Sequence, residues 1–392
     1  KDLSNSESSE KKTIKTNYDS QGKFVISKTD NLDLITSMTY NNWGQLLTEI
    51  DPLGNRTTNT YDGWGKILTS NHNLSGTTTY RYEKDSNGNI KTTVYSPTGS
   101  YTINYINKLG QEYKISTKGF NQGKIISKQI QYDAIGREIR ESEPYFEGES
   151  QKWNTITYND AVYPAIVSAT SFTGKKMTTT VNRMTTIIKE DNGYGRTTSQ
   201  ETDALGNVIR STDPGGSITF AYNAANQQIS AAYGSNIVTT KYDNWGRKSE
   251  FHDPSNGLYK YFYDVFGNST GVESPKGKKE YIYNSKGQLI SQKETANDGS
   301  TAKNINYSYN AKGLLVKKAG TAKNIKGIFD TYSSSVTYDA QGRLVEASET
   351  NDGRYFIQKE VKYDDKGRVI AYEKGVYSAG KYTNAIIENV YD

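Results

Sequence analysis

Apolar and polar residues alternate in short runs along most of this chain, and turn-forming residues separate the runs. Residues 45–50 form one such run, Asp51-Pro52-Leu53-Gly54-Asn55 interrupts it, and a Thr-rich run follows at 56–60. Runs of this length, bounded by Gly, Pro, Asn and Asp, are typical of β-strands. The pattern predicts a strand, a turn and a returning strand, which is one β-hairpin.

A second turn signal follows each hairpin and recurs along the chain. It reads Tyr-(Asp or Asn)-x-x-Gly, and we call turns with this sequence tyrosine turns, whereas the turn inside each hairpin is a return turn. Self-similarity at a period of about 21 residues indicates a repeat architecture. The strict copies place their motif residues at Tyr18 and Gly22, Tyr40 and Gly44, Tyr61, Asp62 and Gly65, Tyr132, Asp133 and Gly136, Tyr242, Asp243 and Gly246, Tyr263, Asp264 and Gly267, Tyr283 and Gly287, Tyr309 and Gly313, Tyr338, Asp339 and Gly342, and Tyr363, Asp364 and Gly367.

These residue types have structural reasons to recur. Gly tolerates the positive φ that a tight turn needs, and Asp or Asn hydrogen-bonds its own backbone two residues on. We therefore interpret the motif residues as structural. The position before Gly holds a large ring at Trp43, Trp64 and Trp245, and we expect these rings to pack on neighbouring turns. It holds Lys286, Lys312, Gln341 and Lys366 later in the chain, where we expect the side chains to face water.

Hairpins joined by tyrosine turns predict an all-β fold, a long antiparallel array of β-hairpin repeats in one continuous sheet. We predict a disordered lead-in or linker at residues 1–13 and the repeat array at 14–392, irregular at about 141–190. Tyr391-Asp392 resembles the opening of another repeat, so we expect a chain truncated in mid-repeat. A β-propeller would need about nine blades, above the usual range. A parallel β-solenoid is disfavoured by hairpin turns such as Asn297-Asp298-Gly299.

The amino-acid composition limits the classes of protein to which this chain can belong. Hydrophobic residues make up 33% of the chain, below the roughly 45–50% of an average globular domain, so a thick two-layer core is not expected. The net charge is +5, with Lys and Arg interspersed among Asp and Glu, and no basic stripe predicts nucleic-acid binding. No apolar run is long enough to span a membrane. The absence of Cys excludes disulfides and thiolate metal sites.

No pattern of residues in the sequence makes a strong case for catalysis or for metal binding. Recurrent carboxylates at every turn do not form the unlike pair that acid–base catalysis needs. Asp85-Ser86-Asn87-Gly88-Asn89 resembles part of a calcium loop, but no Glu closes it. His72 and His252, the two histidines, have no Cys beside them for metal binding. We predict no catalytic, cofactor-binding or metal-binding residues, and no enzymatic activity.

The motif resembles a known repeat. Tyr132-Asp133-Ala134-Ile135-Gly136-Arg137 and Tyr338-Asp339-Ala340-Gln341-Gly342-Arg343 look like the YD repeat. That repeat is found in Rhs proteins, the C components of insecticidal toxin complexes, bacterial wall-associated proteins and teneurins. The resemblance implies a sheet that spirals into part of a hollow shell, which in the bacterial toxin members encloses a C-terminal toxin domain. It also implies a secreted or cell-surface bacterial protein.

Two functions follow from this resemblance. In the first, the chain is shell wall, and its partners are the rest of its own polypeptide, namely further repeats and a toxin cargo. In the second, it is a carbohydrate-binding or adhesion module for cell-surface glycans, because exposed Trp and Tyr rings at turns stack on sugars. The side of the sheet on which the rings of Trp43, Trp64 and Trp245 lie would help to separate the two.

Overall fold

The computed structural model describes residues 2–4, 11–119, 123–191, 195–323, 327–351 and 353–391. Within these ranges the chain forms thirty-six β-strands and no helix. The strands from β3 (Lys15–Tyr18) to β36 (Lys381–Glu388) belong to one sheet, and the strand pairs described in it are antiparallel and mostly join consecutive strands. The prediction of an all-β antiparallel hairpin array is confirmed, because hairpins pair with their neighbours rather than stacking as parallel coils.

Two compact units make up the chain, residues 1–79 with 259–392 and residues 80–258. The strands of the first unit are β1 (Asp2–Ser4), β2 (Lys11–Thr13), β3 (Lys15–Tyr18), β4 (Val25–Thr29), β5 (Ile35–Tyr40), β6 (Leu46–Ile50), β7 (Arg56–Tyr61), β8 (Ile67–His72), β27 (Ser269–Ser274), β28 (Gly277–Tyr283), β29 (Leu289–Ala296), β30 (Thr301–Tyr309), β31 (Leu315–Lys323), β32 (Phe329–Tyr338), β33 (Leu344–Asn351), β34 (Arg354–Tyr363), β35 (Val369–Ser378) and β36 (Lys381–Glu388).

The second unit holds most of the remaining strands, and two strands contribute residues to both units. Those two are β9 (Gly76–Lys84) and β26 (Gly257–Tyr263). The strands that lie wholly in the second unit are β10 (Ile90–Tyr95), β11 (Tyr101–Ile106), β12 (Glu112–Lys118), β13 (Ile125–Tyr132), β14 (Glu138–Ser142), β15 (Tyr145–Phe146), β16 (Trp153–Asn159), β17 (Ala165–Thr170), β18 (Lys176–Asn182), β19 (Thr185–Glu190), β20 (Thr197–Thr202), β21 (Val208–Asp213), β22 (Gly216–Tyr222), β23 (Gln228–Tyr233), β24 (Asn236–Tyr242) and β25 (Lys248–Asp253).

The sheet is one layer thick in the described residues. Side chains along β26 alternate between half-buried and exposed, with Tyr259, Tyr261 and Tyr263 on one face and Leu258 and Phe262 on the other. Among the described hydrophobic residues only Met38, Tyr145 and Ile305 are buried. Two-layer domains bury many more large side chains than this. Stability therefore rests on contacts along the sheet, between neighbouring strands and turns.

The stretch 141–190 follows the same antiparallel pattern except at one excursion. After β14 the chain forms the two-residue strand β15, which pairs back with β13, while β16 pairs with β14. Glu147, which follows β15, forms an ion pair with Lys114, and its carboxylate accepts a hydrogen bond from the Ser127 hydroxyl. From β16 to β19 the pairing is consecutive again.

The N-terminal residues include two short strands. Strands β1 and β2 pair with each other at Asp2–Ser4 and Lys11–Thr13. Residues 1 and 5–10 lie outside the described residues, and the predicted disordered lead-in stays a prediction for them. Asp392, the last residue of the predicted truncated repeat, is outside them too, whereas Tyr391 is described.

Candidate functional site

The tyrosine turns share one backbone geometry, which Asp243 illustrates. The Asp243 N–H donates to the Arg247 carbonyl at 2.8 Å, and the Gly246 N–H donates to the Asp243 carbonyl at 2.9 Å. Gly246 has φ 77°, a conformation that strains any residue with a Cβ. Strand pairing slips by one residue at this point, between Lys241 and Tyr242. The turn is thus a tight hairpin loop followed by a glycine β-bulge.

The carboxylate of each motif Asp caps its own turn. In Asp243 the Oδ1 atom accepts hydrogen bonds from the backbone N–H groups of Trp245 and Arg247, both at 2.9 Å. The amide oxygen of Asn41 does the same for Trp43 and Gln45, at 3.0 Å each. Because Asn and Asp are equivalent here, the role needs an acceptor oxygen and no charge.

Several motif tyrosines tie their repeat to the preceding one. The Tyr242 hydroxyl donates to the backbone carbonyl of Gln228, which is the second residue after the left-handed residue of the previous turn. Nine tyrosines make this bond at 2.6 to 3.0 Å, namely Tyr61, Tyr132, Tyr158, Tyr222, Tyr242, Tyr309, Tyr338, Tyr363 and Tyr391. The phenol thus bridges two strands, so its ring lies along the sheet.

Four repeats add an arginine to this link. Arg343 donates from Nε to the Asp339 Oδ2 atom at 2.7 Å, and its guanidinium lies 4.5 Å from the ring centre of Tyr363 in the next repeat. Cation–π contacts of this kind stabilise neighbouring groups modestly when they are exposed. The same Asp–Arg bond occurs at Asp133, Asp243 and Asp364. The motif residues therefore join repeat to repeat.

These carboxylates are poorly suited to acid–base chemistry. The backbone N–H of Arg137 and its side chain hold the pKa of Asp133 below its usual range. Hydrogen bonds from Asn207 lower the pKa of Asp203 in the same way. A general acid needs the opposite shift. Within the described residues, no three His, Asp or Glu side chains converge as a metal site requires.

The remaining motif residues occupy the expected turn positions. All ten motif glycines have positive φ between 70° and 89°. Tyr18 is 53% exposed at the first turn, and Tyr40 stacks on Phe24 with ring centres 5.2 Å apart. Burial raises the pKa of the Tyr283 hydroxyl. Asp85, in the calcium-like stretch, caps its own turn through Asn87 and Asn89. His72 accepts a bond from the Leu74 N–H.

The prediction that the large rings before Gly pack on neighbouring turns is wrong. Trp43, Trp64 and Trp245 are 89%, 93% and 85% exposed. Other groups already occupy the space over the following glycines. The Phe24 ring covers Gly44, and the Gln45 side chain donates to the Gly65 carbonyl at 3.0 Å. The rings therefore project beyond the turn into solvent.

The late Lys residues before Gly do not simply face water, contrary to our prediction. In the first unit, Lys286 Nζ donates to the Leu32 carbonyl at 3.1 Å and lies 3.2 Å from Asp33 Oδ2. Lys312 Nζ donates to the Pro52 carbonyl at 2.6 Å. These contacts join residues more than 250 positions apart. They bring tyrosine turns of the C-terminal segment (residues 259–391) against return turns of the N-terminal segment (residues 11–79).

At the same interface, leucine residues of the return turns lie close to the motif glycines of the tyrosine turns. A methyl group on Gly342 would lie 2.6 Å from Leu53 Cδ1, and one on Gly313 would lie 2.7 Å from Leu32 Cδ1. A methyl group on Gly367 would lie 3.1 Å from the Leu74 carbonyl oxygen. We call this set of contacts the leucine ladder, formed by Leu32, Leu53 and Leu74 against Gly313, Gly342 and Gly367. A Cβ at any of these glycines would force its leucine to shift, because the contact would be closer than ordinary van der Waals contact.

Comparison with known proteins places these turns in a described family of repeats. The family model RHS Repeat matches residues 18–56 and 203–238. Both segments contain a tyrosine-type turn followed by its return turn. These two segments are similar to RHS repeats. No curated protein sequence matches the chain.

Solved structures share the fold of this chain at low sequence identity. A crystal structure of TcdB2-TccC3 matches 98% of this chain with 15% identity and a TM-score of 0.64. A structure of TcdB2-TccC3 without the hypervariable C-terminal region has a TM-score of 0.61 at 13% identity and also covers 98% of this chain. A Tc holotoxin pore from Photorhabdus luminescens reaches 0.53 at 13% identity over 97% of the chain. The chain spans 26% to 28% of the length of these chains.

The leucine ladder left a signal in the sequence that the RHS motif alone does not contain. Leu32, Leu53 and Leu74 recur every 21 residues in the first three return turns, whereas later return turns such as Asp213-Pro214-Gly215-Gly216 carry no leucine. The residue before Gly changes from Trp to Lys or Gln over the repeats that contact them. Taken together, these two changes could have predicted which return turns and tyrosine turns meet.

Proposed function

We propose that this chain is a structural wall segment of a secreted RHS-repeat protein, and that the wall encloses a C-terminal toxin domain outside this chain. The coarser part, a structural role in an RHS-repeat sheet, rests on the repeats and the fold. Enclosure, cargo and secretion are the proposal. One of the similar structures is TcdB2-TccC3 without a hypervariable C-terminal region, and the proposal gives this chain's polypeptide a comparable region.

The leucine ladder is the observation that supports a wall best. A sheet whose turns contacted no other part of the chain would leave gaps between neighbouring segments. In the first unit, the tyrosine-turn edge of one segment packs on the return-turn edge of another through Leu53 against Gly342 and through Lys312 to the Pro52 carbonyl. Edge-to-edge packing of this kind closes a surface that is one layer thick, because the side chains fill the seam between coils.

No catalytic constellation competes with this role in the described residues. The motif carboxylates cap their own turns, and at Asp133 the backbone N–H and side chain of Arg137 lower the pKa of the carboxyl group. None of the described residues forms a helix that is long and apolar enough to cross a membrane. The proposal accordingly treats the chain as non-enzymatic and its partners as the remaining parts of its own polypeptide.

Protease protection of the complete polypeptide would test the proposal. If the wall encloses a C-terminal domain, that domain resists added protease in the native protein and becomes sensitive when Leu53→Asp opens the seam. Trp64→Asp, on the exposed edge, serves as the matched control and should leave protection intact. A C-terminal domain digested equally in the native protein and in both variants would contradict enclosure.

A second candidate function, binding of cell-surface glycans, is favoured by the exposed indole rings. Trp43 and Trp64 lie on consecutive tyrosine turns and are 89% and 93% exposed. Consecutive turns are two strands apart, about 10 Å, and two flat aromatic faces at such a spacing could stack on two non-adjacent rings of one glycan chain. Glycan binding that is lost in Trp43→Ala/Trp64→Ala would support this function, and a glycan array without any binder would exclude it.

A further inference from the structure

Strand β13 changes its partner along its length, and a short segment makes the second contact. Its C-terminal part pairs with β14, whereas Ile126 and Ser127 near its start pair with β15. The segment that carries β15 leaves and rejoins the sheet at one point, because the Glu143 N–H donates to the Lys152 carbonyl at 2.7 Å. We call residues 144–151 the flap. Since β14 and β16 pair directly beyond this point, the flap can move while their pairing stays intact.

Backbone pairing alone holds the flap weakly. Strand β15 has two residues, and its contact with β13 covers two residue pairs. One further backbone bond runs from the Glu147 N–H to the Ile125 carbonyl at 2.9 Å. The Gln129 side-chain amide donates a hydrogen bond to the Tyr145 hydroxyl at 2.6 Å. Short isolated strand pairs are marginally stable in water, so charged side chains decide whether the flap stays closed.

The side chain of Glu147 fastens the flap to the sheet. Its carboxylate accepts a hydrogen bond from the Ser127 hydroxyl and lies 2.6 Å from Lys114 Nζ on β12. A serine hydroxyl has one proton to donate, so the 2.7 Å bond between the Ser116 and Ser127 hydroxyls is donated by Ser116. Both serines are buried, at 2% and 1% exposed. The flap thus completes a buried chain of hydrogen bonds that ends on the Glu147 carboxylate.

The charge of Lys114 is compensated by this carboxylate. The Lys114 side chain is 18% exposed, and the centre of the Tyr105 ring on β11 lies 5.2 Å from Nζ. Burial lowers the pKa of Lys114, but the contacts with Glu147 outweigh it, so the pKa is raised overall. In return, Lys114 and Ser127 hold the pKa of Glu147 below its usual range. Removing the charge of Glu147 would therefore leave a largely buried ammonium without its counter-ion.

Other charged groups around the flap have contacts elsewhere. Lys124 and Lys152 lie over aromatic rings, 4.5 Å and 5.2 Å from the ring centres, and both stay charged in acid. Glu143, at the base of the flap, accepts a hydrogen bond from the Asn154 amide at 2.7 Å. In the described part of the chain, the ion pair of Glu147 is therefore the one that joins the flap to the sheet.

We propose that the flap is an acid-sensitive closure of the sheet, closed while Glu147 is ionised and open once its carboxyl group is protonated. Protonation leaves the Lys114 ammonium without a counter-ion, which is unfavourable for a buried charge, and lifting the flap restores its contact with water. Because the pKa of Glu147 is lowered in the folded chain, its stabilisation is present above the unfolded value of about 4.3 and is lost as the pH falls through the folded value.

Hydrogen exchange of the purified chain, followed by mass spectrometry, tests the opening. Protection factors, which correct for the effect of pH on intrinsic exchange, are compared at pH 7 and pH 3 for the peptide that contains the flap. We expect its protection to fall about fivefold in acid, an effect between those of exposed and of buried ion pairs. Strand β17, which is paired on both sides, provides the reference and should keep its protection.

Variants of the ion pair reproduce the protonated state without acid. Glu147→Gln cannot ionise, so it should lower the protection of the flap at pH 7 as acid does in the wild type. Glu149→Gln makes the same change at an exposed flap position and is the matched control, with wild-type protection. Adding Lys114→Met to Glu147→Gln removes the unpaired charge and should restore protection at both pH values. Lys114→Met alone should abolish most of the pH effect, and it provides the test if Glu147→Gln does not fold.

Three results would contradict the proposal. Equal protection of the flap at pH 7 and pH 3 would show that the flap does not respond to acid. A loss of protection in β17 as large as that in the flap would mean that acid unfolds the sheet as a whole. A loss in Glu147→Gln that persists after the addition of Lys114→Met would assign the closure to the hydrogen bond from Ser127 rather than to the charge of Lys114.

Discussion

The first unit contains the same tyrosine turn in two settings. At Asn41 and at Asn284 the side-chain oxygen accepts the same two backbone hydrogen bonds, at 2.9 to 3.1 Å. The residue before Gly differs, however, and so does what meets the turn. Trp43 and Trp64 project into solvent, while Lys286 and Lys312 reach the carbonyls of return turns. The motif builds the turn, and one neighbouring side chain distinguishes the contacting turns from the free ones.

The space over the motif Gly follows the same division. At the free turns of Trp43 and Trp64 a group from the preceding repeat covers it, Phe24 over Gly44 and Gln45 over Gly65. At the contacting turns of Lys312 and Gln341 a leucine from the distant segment covers it, Leu32 over Gly313 and Leu53 over Gly342. A free turn is thus already closed by its own neighbour. A contacting turn is closed only when the two segments meet, and this difference makes four predictions.

Truncating one side chain at a contacting turn and one at a free turn should give the largest difference in the free energy of unfolding. Leu53→Ala removes a side chain packed in the ladder and should lower the free energy of unfolding by about 2 kcal/mol, the low end for apolar truncations at packed sites. Trp64→Ala removes an exposed ring and should change it by less than about 0.5 kcal/mol. Urea denaturation of the purified chain measures both. Equal losses of stability in the two variants would show that the contacting turns and the free turns do not differ in packing.

Adding a methyl group to two glycines should give a smaller contrast. Gly342 and Gly299 have nearly the same φ, 80° and 79°, so Ala costs each of them similar backbone strain. Only Gly342→Ala also meets Leu53, because Gly299 has open space around its Cβ position. We expect Gly342→Ala to be about 1 kcal/mol the more destabilising. Matching denaturation midpoints for the two variants would argue against the leucine ladder.

Removing a lysine should have a weaker effect. Lys312→Ala deletes the bond from Nζ to the Pro52 carbonyl, and exposed charged contacts contribute about 0.5 kcal/mol. Lys276→Ala, on an exposed return turn of the same segment, is the control and should be neutral. The difference between the two midpoints in urea gives the contribution. A more stable Lys312→Ala variant would mean that desolvation of the lysine outweighs its bond.

The smallest expected effect depends on pH. Burial raises the pKa of Asp339, but hydrogen bonds from the Arg343 backbone and guanidinium outweigh it, so the pKa is lowered overall. A lowered folded-state pKa adds stability that is present above the unfolded pKa of about 3.9 and is lost as the pH falls through the folded pKa. Asp339→Asn should keep the turn, because Asn284 caps its own turn in the same way. The variant has no carboxylate, however, so it lacks this pH-dependent stabilisation.

We therefore expect wild type to exceed Asp339→Asn in stability at pH 7 by a small margin, and the margin to shrink toward pH 3. Denaturation midpoints at both pH values provide the comparison, with Trp64→Ala as a variant whose margin does not change with pH. A margin for Asp339→Asn that grows on acidification would have the wrong sign for a carboxylate held ionised.

The repeat itself could be predicted from sequence because it is local. Turn residues such as Gly246 and the Asp243 cap act within four positions, and alternation within short runs specifies strands. The contacts of the turn edges could not be predicted in the same way. Whether Trp64 or Lys312 meets another turn depends on which segments lie side by side, and the partner of Lys312 is 260 positions away. The exposed indoles were predicted to pack because bulk and apolarity usually indicate burial.

The central claim is that return turns of the N-terminal segment pack against tyrosine turns of the C-terminal segment, and the native chain can report this without any mutation. A zero-length carbodiimide reagent joins an amine and a carboxylate in direct contact, and Lys286 Nζ lies 3.2 Å from Asp33 Oδ2. We expect a cross-linked peptide pair containing Lys286 and Asp33 in the monomer fraction. Lys241 and Glu250, 2.7 Å apart on adjacent strands, provide the internal control. Cross-linking of the control pair without any Lys286–Asp33 product would show that the two sets of turns do not meet.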